Sequence, residues 1–267
     1  MIKAVVTGAT GRMGARIISI LCETPGIELS GALERAGHPA LNKDAGIFSG
    51  GGHLGVAITS DLEQIIGGAD VVIDFTSPEA SIENLKVVSR AKKGIVIGST
   101  GFTPAQMDEV REYTKTLPCV LSPNMSVGVN VMLKVLHDTA RILGDEYDVE
   151  IVEAHHRLKK DAPSGTAMKM AQVLADALGR DLGEVGVYAR HGIIGERSKK
   201  EIGIQTVRAG DIVGDHTVMF GGMGERLEFT HRAHTRDNFA RGAVRAALWV
   251  AGKEPGLYDM QDVLGLK

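Results

Sequence analysis

Met1-Ile-Lys-Ala-Val-Val-Thr-Gly-Ala-Thr-Gly-Arg-Met-Gly14 runs from a short apolar strand through three evenly spaced glycines, Gly8, Gly11 and Gly14, into a helix placed from Arg12 to Cys22. A strand, glycine turn and helix in this order let the backbone turn tightly, approach a pyrophosphate and expose the amides of a helix N-terminus. The spacing is G-x-x-G-x-x-G rather than the commoner G-x-G-x-x-G, and it places Gly8, Ala9, Thr10, Gly11, Arg12 and Met13 as cofactor contacts. Glu34 stands twenty residues after Gly14, at the end of a second strand, where a carboxylate would accept from ribose hydroxyls. Arg35 beside it could instead meet a 2'-phosphate through its planar fork. The pair leaves NADPH and NADH both open as cofactor.

Outward from this junction, up to about Leu121, β-branched runs alternate with helical stretches. The strands are Ala4 to Val6, Ile27 to Leu33, Val71 to Ile73, Ile95 to Ile97 and Val120-Leu121, and helices are placed at Glu79 to Lys92 and Pro104 to Thr116. Thr103 is read as an N-cap with Pro104 in the first turn. Continuous apolar strands separated by helices predict an α/β, Rossmann-like, doubly wound parallel sheet covered on both faces. Two further turns at strand carboxyl ends, Gly98-Ser99-Thr100 and Ser122-Pro123-Asn124-Met125, are placed at the nicotinamide, and Asp74-Phe-Thr-Ser77 lies on the same edge. Gly46 to Gly55, with five glycines in ten residues, is read as a loop without helix or strand, either mobile beside the cofactor or a surface insertion with no role.

Beyond Ser126 the pattern changes to a long helix, Asn130 to Leu143, a strand, Asp148 to Ala154, and a helix, Gly165 to Leu178. Strands of alternating polarity follow at Glu201 to Arg208, His216 to Phe220 and Arg226 to His231. They suit a sheet with one packed and one polar face, a second α/β domain. An amphipathic helix from Asp237 to Ala251 then closes the chain by returning to the first domain.

Composition narrows the setting. With 30 basic against 33 acidic residues the charge is nearly balanced, so neither nucleic acid nor an anionic membrane is expected as partner. No signal-like or membrane-spanning run appears, and a cytoplasmic location is expected. Cys22 and Cys119 are read as buried packing residues.

The chemistry gathers in Glu153-Ala-His-His-Arg-Leu-Lys-Lys-Asp-Ala-Pro-Ser-Gly-Thr-Ala167. His155, His156 and Lys159 follow a strand end, and Ser164, Gly165 and Thr166 open the next helix with hydroxyls and amides suited to a carboxylate. This combination is built to hold a small dianion and to hand it a proton. Glu153, His155 and His156 cluster, but adjacent strand histidines point to opposite faces, and neither H-E-x-x-H nor paired cysteines occur, so no metal is expected. Neither cysteine follows a turn, which argues against covalent aldehyde chemistry.

With Gly8-Ala-Thr-Gly-Arg-Met-Gly14, Gly98-Ser-Thr-Gly-Phe102, Ser126-Val-Gly-Val-Asn130 and the Glu153 to Ala167 block in order, the chain resembles the dihydrodipicolinate reductase family over essentially its whole length. The resemblance implies a Rossmann domain from residues 1–126 and 236–267, and a substrate and oligomerisation domain from 127–235 whose mixed open sheet assembles a homotetramer. It implies reduction of a cyclic imine dicarboxylate by NADPH or NADH in diaminopimelate and lysine synthesis. His155 would be the proton donor assisted by Lys159, with His156, Lys159, Gly165 and Thr166 on the substrate. Leu158 departs from the polar residue expected there, and Ser99 from a common Thr.

Overall fold

The computed structural model describes residues 1–267, which divide into one unit of Met1–Val127 with Asp237–Lys267 and another of Gly128–Arg236. The first unit runs through β1 (Ile2–Thr7), α1 (Arg12–Glu23), β2 (Ile27–Leu33), α2 (Gly46–Ser49), β3 (Ile58–Thr59), α3 (Leu62–Ile66), β4 (Val71–Asp74), α4 (Pro78–Ala91), β5 (Gly94–Ile97), α5 (Pro104–Tyr113) and β6 (Pro118–Leu121). The second holds α6 (Val127–Leu143), β7 (Asp148–His155), α7 (Gly165–Ala177), α8 (Leu182–Val185), β8 (Gly186–Val187), β9 (Ile202–Arg208), β10 (Gly214–Gly221) and β11 (Arg226–Ala233). The chain then returns to the first unit as α9 (Asp237–Val250), β12 (Gly256–Tyr258) and α10 (Met260–Leu264).

The first sheet is parallel throughout, in the order β12-β6-β5-β4-β1-β2-β3. Alternate residues of its strands feed two cores: Ala4, Val6, Val71, Ile73 and Val96 pack toward α1 and α9, while Val5, Val72, Ile95 and Ile97 pack toward α3, α4 and α5. Burial on both faces explains why β4 and β5 read as unbroken apolar runs. Capping sets the helix starts: Ser77 accepts from the Ala80 amide ahead of α4, and Thr103 and Gln106 form a reciprocal capping box around Pro104 in α5. Strand order reverses between β1 and β4, so the turns after these strands open a crevice at their carboxyl ends, where such sheets bind ligands.

The second sheet is mixed, in the order β11-β10-β7-β9-β8, with β7, β9 and β8 mutually parallel and β10 antiparallel to both β7 and β11. One face packs Val149, Ile151, Ile202, Ile204, Val218 and Phe220 against α6 and α7. The opposite face carries Val152, Val207 and Met219, outside the packed cluster, and on it Glu150 accepts from Arg190 and Arg197.

Several expectations need correction. Gly46–Ser49 forms a helical turn, because the Asp44 carboxylate accepts the amides of Gly46, Leu54 and Gly55 and folds the glycine-rich stretch back on itself. Leu54 and Val56 line a hollow of about 560 Å³ with residues 22–29, at the end of the sheet opposite Gly8 rather than beside it. The chain does not close at α9: Tyr258 and its neighbours add β12 beside β6. Cys22 is exposed on the outer side of α1, and only Cys119 is buried. No helix is long and apolar enough to cross a membrane.

α9 joins the first unit through close approach. A Cβ on Gly242 would lie 1.7 Å from the Met125 carbonyl oxygen, and the Arg16 guanidinium donates to both oxygens of Asp237 at 2.8 and 2.6 Å. Gly242→Ala is therefore expected to cost about 1–3 kcal/mol of stability, read from the denaturant midpoint. Gly67→Ala, whose added methyl would meet nothing within 4 Å, is the matched control and should stay within about 0.5 kcal/mol of the parent.

Candidate active site

Within the first unit, the turn after β1 is shaped by what glycine leaves out. Gly8 has φ +60°, and a Cβ there would press on Thr76 Cγ2 at 3.1 Å; a Cβ on Gly14 would lie 2.0 Å from the Gly8 carbonyl oxygen. The helix start thus sits directly on the turn. Its N-cap, Gly11, offers no side-chain acceptor, and no acidic residue lies in the first turn, so α1 presents its N-terminal partial charge uncapped. Arg12 is exposed and Met13 half-buried beside it.

Glu34, at the end of β2, is held by Thr10, whose amide and hydroxyl donate to Oε1 at 3.0 and 2.7 Å. Burial pushes its carboxyl up, but these bonds and the Arg35 amide outweigh burial and hold it below the ordinary range. An ionised acceptor beside the glycine turn fits a ribose diol. Arg35 is exposed next to it. These features fit a dinucleotide, and the first unit is a nucleotide-binding Rossmann domain.

Not every expected contact faces outward. Ala9 is fully buried and its amide donates to the Leu33 carbonyl, so it braces the turn from within. Ser99 is buried and its hydroxyl oxygen accepts from the Ser81 hydroxyl, and Met125 places its side chain in the core. The buried Ser122 donates its hydroxyl to the Asn124 carbonyl, and Asn124 in turn accepts the Ser126 amide. Thr100 and Pro123 are exposed at these two turns. Gly98 is where it is because a Cβ would lie 2.2 Å from the Phe75 ring. Cys119 is buried at the sheet's interior, where burial and nearby Asp74 push its thiol up, away from nucleophilic character.

The second unit carries the other cluster. β7 points Val149, Ile151, Glu153 and His155 to one face, which turns from apolar to polar toward its end. Glu153 has no exposed surface, yet it is fully bonded. Its Oε1 accepts from the Ser164 amide at 3.0 Å, Arg208 Nη2 at 2.8 Å and the Thr206 hydroxyl at 3.2 Å. Its Oε2 meets His155 Nδ1 at 2.6 Å and Arg208 Nη1 at 2.9 Å. Burial pushes this carboxyl up; the bonds from Arg208, His155 and Ser164 more than reverse it, leaving the group ionised.

Around it, His155 is buried, and its imidazole is lowered below the usual value by burial and by Lys159 and Arg208, against the opposing pull of Glu153. His216, opposite Glu153 on β10, sets its ring edge-on to His155 at 5.1 Å. Burial and the neighbouring His155 push His216 down to about 4, so it stays neutral at physiological pH. Beyond β7 the loop is held by the Arg157 amide on the Gly210 carbonyl and the Ala209 amide on the His155 carbonyl. His156 and Lys159 are partly exposed there, with Lys159 on Asp161 at 2.8 Å. The Ala162–Pro163 peptide is cis.

Ser164 is the N-cap of α7; its hydroxyl accepts the Ala167 amide and shares a hydrogen bond with His216 Nε2, while its own amide goes to Glu153. The exposed Gly165 and partly exposed Thr166 are what the helix start presents outward. Leu158 is exposed. Sequence reading missed Arg208, Thr206 and Gly214, and treated Glu153 only as a metal candidate. The available signal was the period-two alternation of β7, which puts Glu153 on the same face as His155 and among buried residues. No group of three or more His, Cys, Asp or Glu side chains stands together as a metal site.

Comparison with known proteins divides the chain near the same first boundary, but residues 237–264, which belong to the first unit here, fall within the C-terminal family model. The family model for the dihydrodipicolinate reductase N-terminus matches residues 2–125, and that for its C-terminus matches 128–264. The 4-hydroxy-tetrahydrodipicolinate reductase of Syntrophus aciditrophicus (strain SB) is 64% identical over 267 residues, covering 100% of both chains. That of Geotalea uraniireducens (strain Rf4) is 61% identical over the same span, again 100% of each. Among solved structures, the dipicolinate-bound dihydrodipicolinate reductase from Paenisporosarcina sp. TG-14 superposes with a TM-score of 0.78 at 26% identity, covering 98% of each chain. A match that runs through both units, and through the glycine turn and the histidine segment alike, places this chain in the dihydrodipicolinate reductase family.

Proposed function

We propose that this chain reduces the cyclic imine derived from 4-hydroxy-tetrahydrodipicolinate to tetrahydrodipicolinate, with NADPH or NADH as reductant, in diaminopimelate and lysine synthesis. The observation that carries the reading is one loop that brings a buried, carboxylate-held histidine, a lysine and the start of α7 together. The family membership supplies the substrate class, and the dipicolinate in the Paenisporosarcina relative is a planar dicarboxylate of the same kind.

When bound, the reduced nicotinamide supplies the hydride. The chain's own residues do the rest. Gly8, Thr10, Gly11, Arg12 and Met13 cradle the pyrophosphate at the start of α1, and Glu34 takes the adenosine ribose. Gly98, Thr100, Pro123 and Asn124 border the same crevice, with Ala9, Ser99, Ser122 and Met125 supporting it from inside. His156, Lys159, Gly165 and Thr166 bind the substrate carboxylates, and Ser164 fixes the helix start that carries them. His155 donates the proton that the substrate takes up as electron density builds. A bound dianion beside His155 raises the proton affinity that burial lowers, so the donor is charged when it is needed.

We further propose that the open face bearing Val152, Val207 and Met219 joins copies of this chain into a homotetramer, and that the enzyme works in the cytoplasm. The half-exposed Val207, 43% accessible, supports an apolar contact there.

Oxidation of each reduced cofactor, followed by absorbance with substrate made in place from pyruvate and aspartate semialdehyde, should show turnover. His155→Ala should lower kcat by about 10²- to 10⁴-fold with cofactor binding retained; unchanged turnover would remove His155 from the donor role. Arg35→Ala should raise KM for NADPH more than for NADH, about tenfold if the guanidinium meets the 2'-phosphate, and an equal effect on both would assign it elsewhere. Gly214→Ala would set a methyl 3.0 Å from His155 Nε2, so the ring must shift by a few tenths of an ångström. That shift should lower kcat by about tenfold while the folded fraction stays unchanged by circular dichroism.

A further inference from the structure

Glu153 is more than a buried cap for α7. Its two oxygens receive five donors from β7, β9 and the loop ahead of α7, so the carboxylate cannot rotate without leaving a donor unmet. Arg208 grips both oxygens and is itself tied by Nη2 to the Asp161 carbonyl and by Nη1 to its neighbour Val207's carbonyl. His155 is pinned from a second side by the His216 ring. Its other nitrogen, Nε2, faces Gly214, where an added Cβ would lie 3.0 Å from it.

We propose that Glu153, locked by Arg208, is the positioning residue of the proton donor: it takes the Nδ1 hydrogen of His155 and so makes Nε2 the atom that gives up the proton. This role presupposes that His155 is the donor. An ionised carboxylate only accepts, so the Nδ1 facing it must carry hydrogen in both charge states of the ring. The exchangeable proton is then on Nε2. In the reaction the Nε2–H bond breaks, its electron pair stays on nitrogen, and the proton bonds to the substrate atom that received electron density from the reduced nicotinamide. The ring is left neutral with hydrogen on Nδ1, ready to be recharged from solvent at Nε2. Glu153 keeps its charge throughout, as the carboxylate behind a catalytic histidine does elsewhere.

The groups around the ring are Glu153, Lys159, Arg208 and His216, with Asp161 paired to Lys159. Of these, Glu153 is the one that favours the charged imidazole. Without its charge the ring gives up its proton at lower pH, and activity, which needs the proton, falls off sooner as pH rises.

The test compares pH profiles of kcat for the parent, Glu153→Gln, Glu153→Asp, Arg208→Lys and His155→Gln, alongside NADH and dipicolinate binding. Glu153→Gln should lower kcat by about tenfold or more and move the alkaline limb down by about one pH unit, with NADH affinity unchanged. Glu153→Asp, which restores the charge, should bring the limb back toward the parent. If Glu153→Gln does not fold, Arg208→Lys carries the test: it keeps the opposing charge, loses the double grip, and should lower kcat with a limb displaced in the same direction. A parent-like profile in Glu153→Gln with an inactive His155→Gln overturns the positioning role alone. A lowered kcat with weakened dipicolinate binding and the limb unmoved in Glu153→Gln and Arg208→Lys assigns Glu153 to the framework and also overturns it. Parent-like turnover in His155→Gln removes the donor assignment and this inference with it.

Discussion

A carboxylate without exposed surface, Glu153, organises the second unit. A buried charge is tolerated only where it is paired and hydrogen-bonded, and here the pairing draws on residues far apart in sequence. Thr206 and Arg208 come from β9, Ser164 from the loop that starts α7, and His155 from the same strand two residues on. Satisfying one group therefore sets the β7/β9 register, the position of the α7 N-terminus and the plane of the histidine ring at once. The neutral His216, sharing a hydrogen bond with Ser164, extends the network to β10 without adding a second buried charge.

The first unit solves a different problem. Its turn after β1 is made tight by omission, since a Cβ on Gly14 would lie 2.0 Å from the Gly8 carbonyl oxygen. Polar groups there are already organised before a ligand arrives. Thr10 holds Glu34, and Asp74 takes the Thr76 amide and hydroxyl and the Asn84 amide group. Preorganisation of this sort lowers the ordering cost of binding.

Much of this was legible in the sequence, for a physical reason in each case. Parallel strands buried on both faces leave continuous apolar runs such as Val71 to Ile73, and caps such as Thr103 with Pro104 leave a local signature. What escaped was non-local. Nothing near Arg208 says that it reaches Glu153, 55 residues earlier, and nothing near Gly214 says that it lies over a histidine ring. β12 is only three residues long and gains its place from pairing with Pro118 to Val120, so no periodicity could announce it. Cys22 sits on an amphipathic helix whose apolar stripe is Ile17, Ile18 and Leu21, and one step of 100° takes it out of that stripe to the surface. A capping serine and a binding serine look alike in sequence, and the bond of Ser164 to His216 is again non-local information.

The return of α9 and β12 to the first sheet also orders events during synthesis. Residues 128–236 form a unit from one continuous stretch, whereas the nucleotide-binding sheet lacks its outer strand until Tyr258 has emerged. Until then the β6 edge and the α9-facing sides of Val96 and Val120 stay uncovered. A segment made after the second unit thus completes a sheet begun before it, and a nascent chain cut short before Gly242 leaves that sheet's edge unpaired.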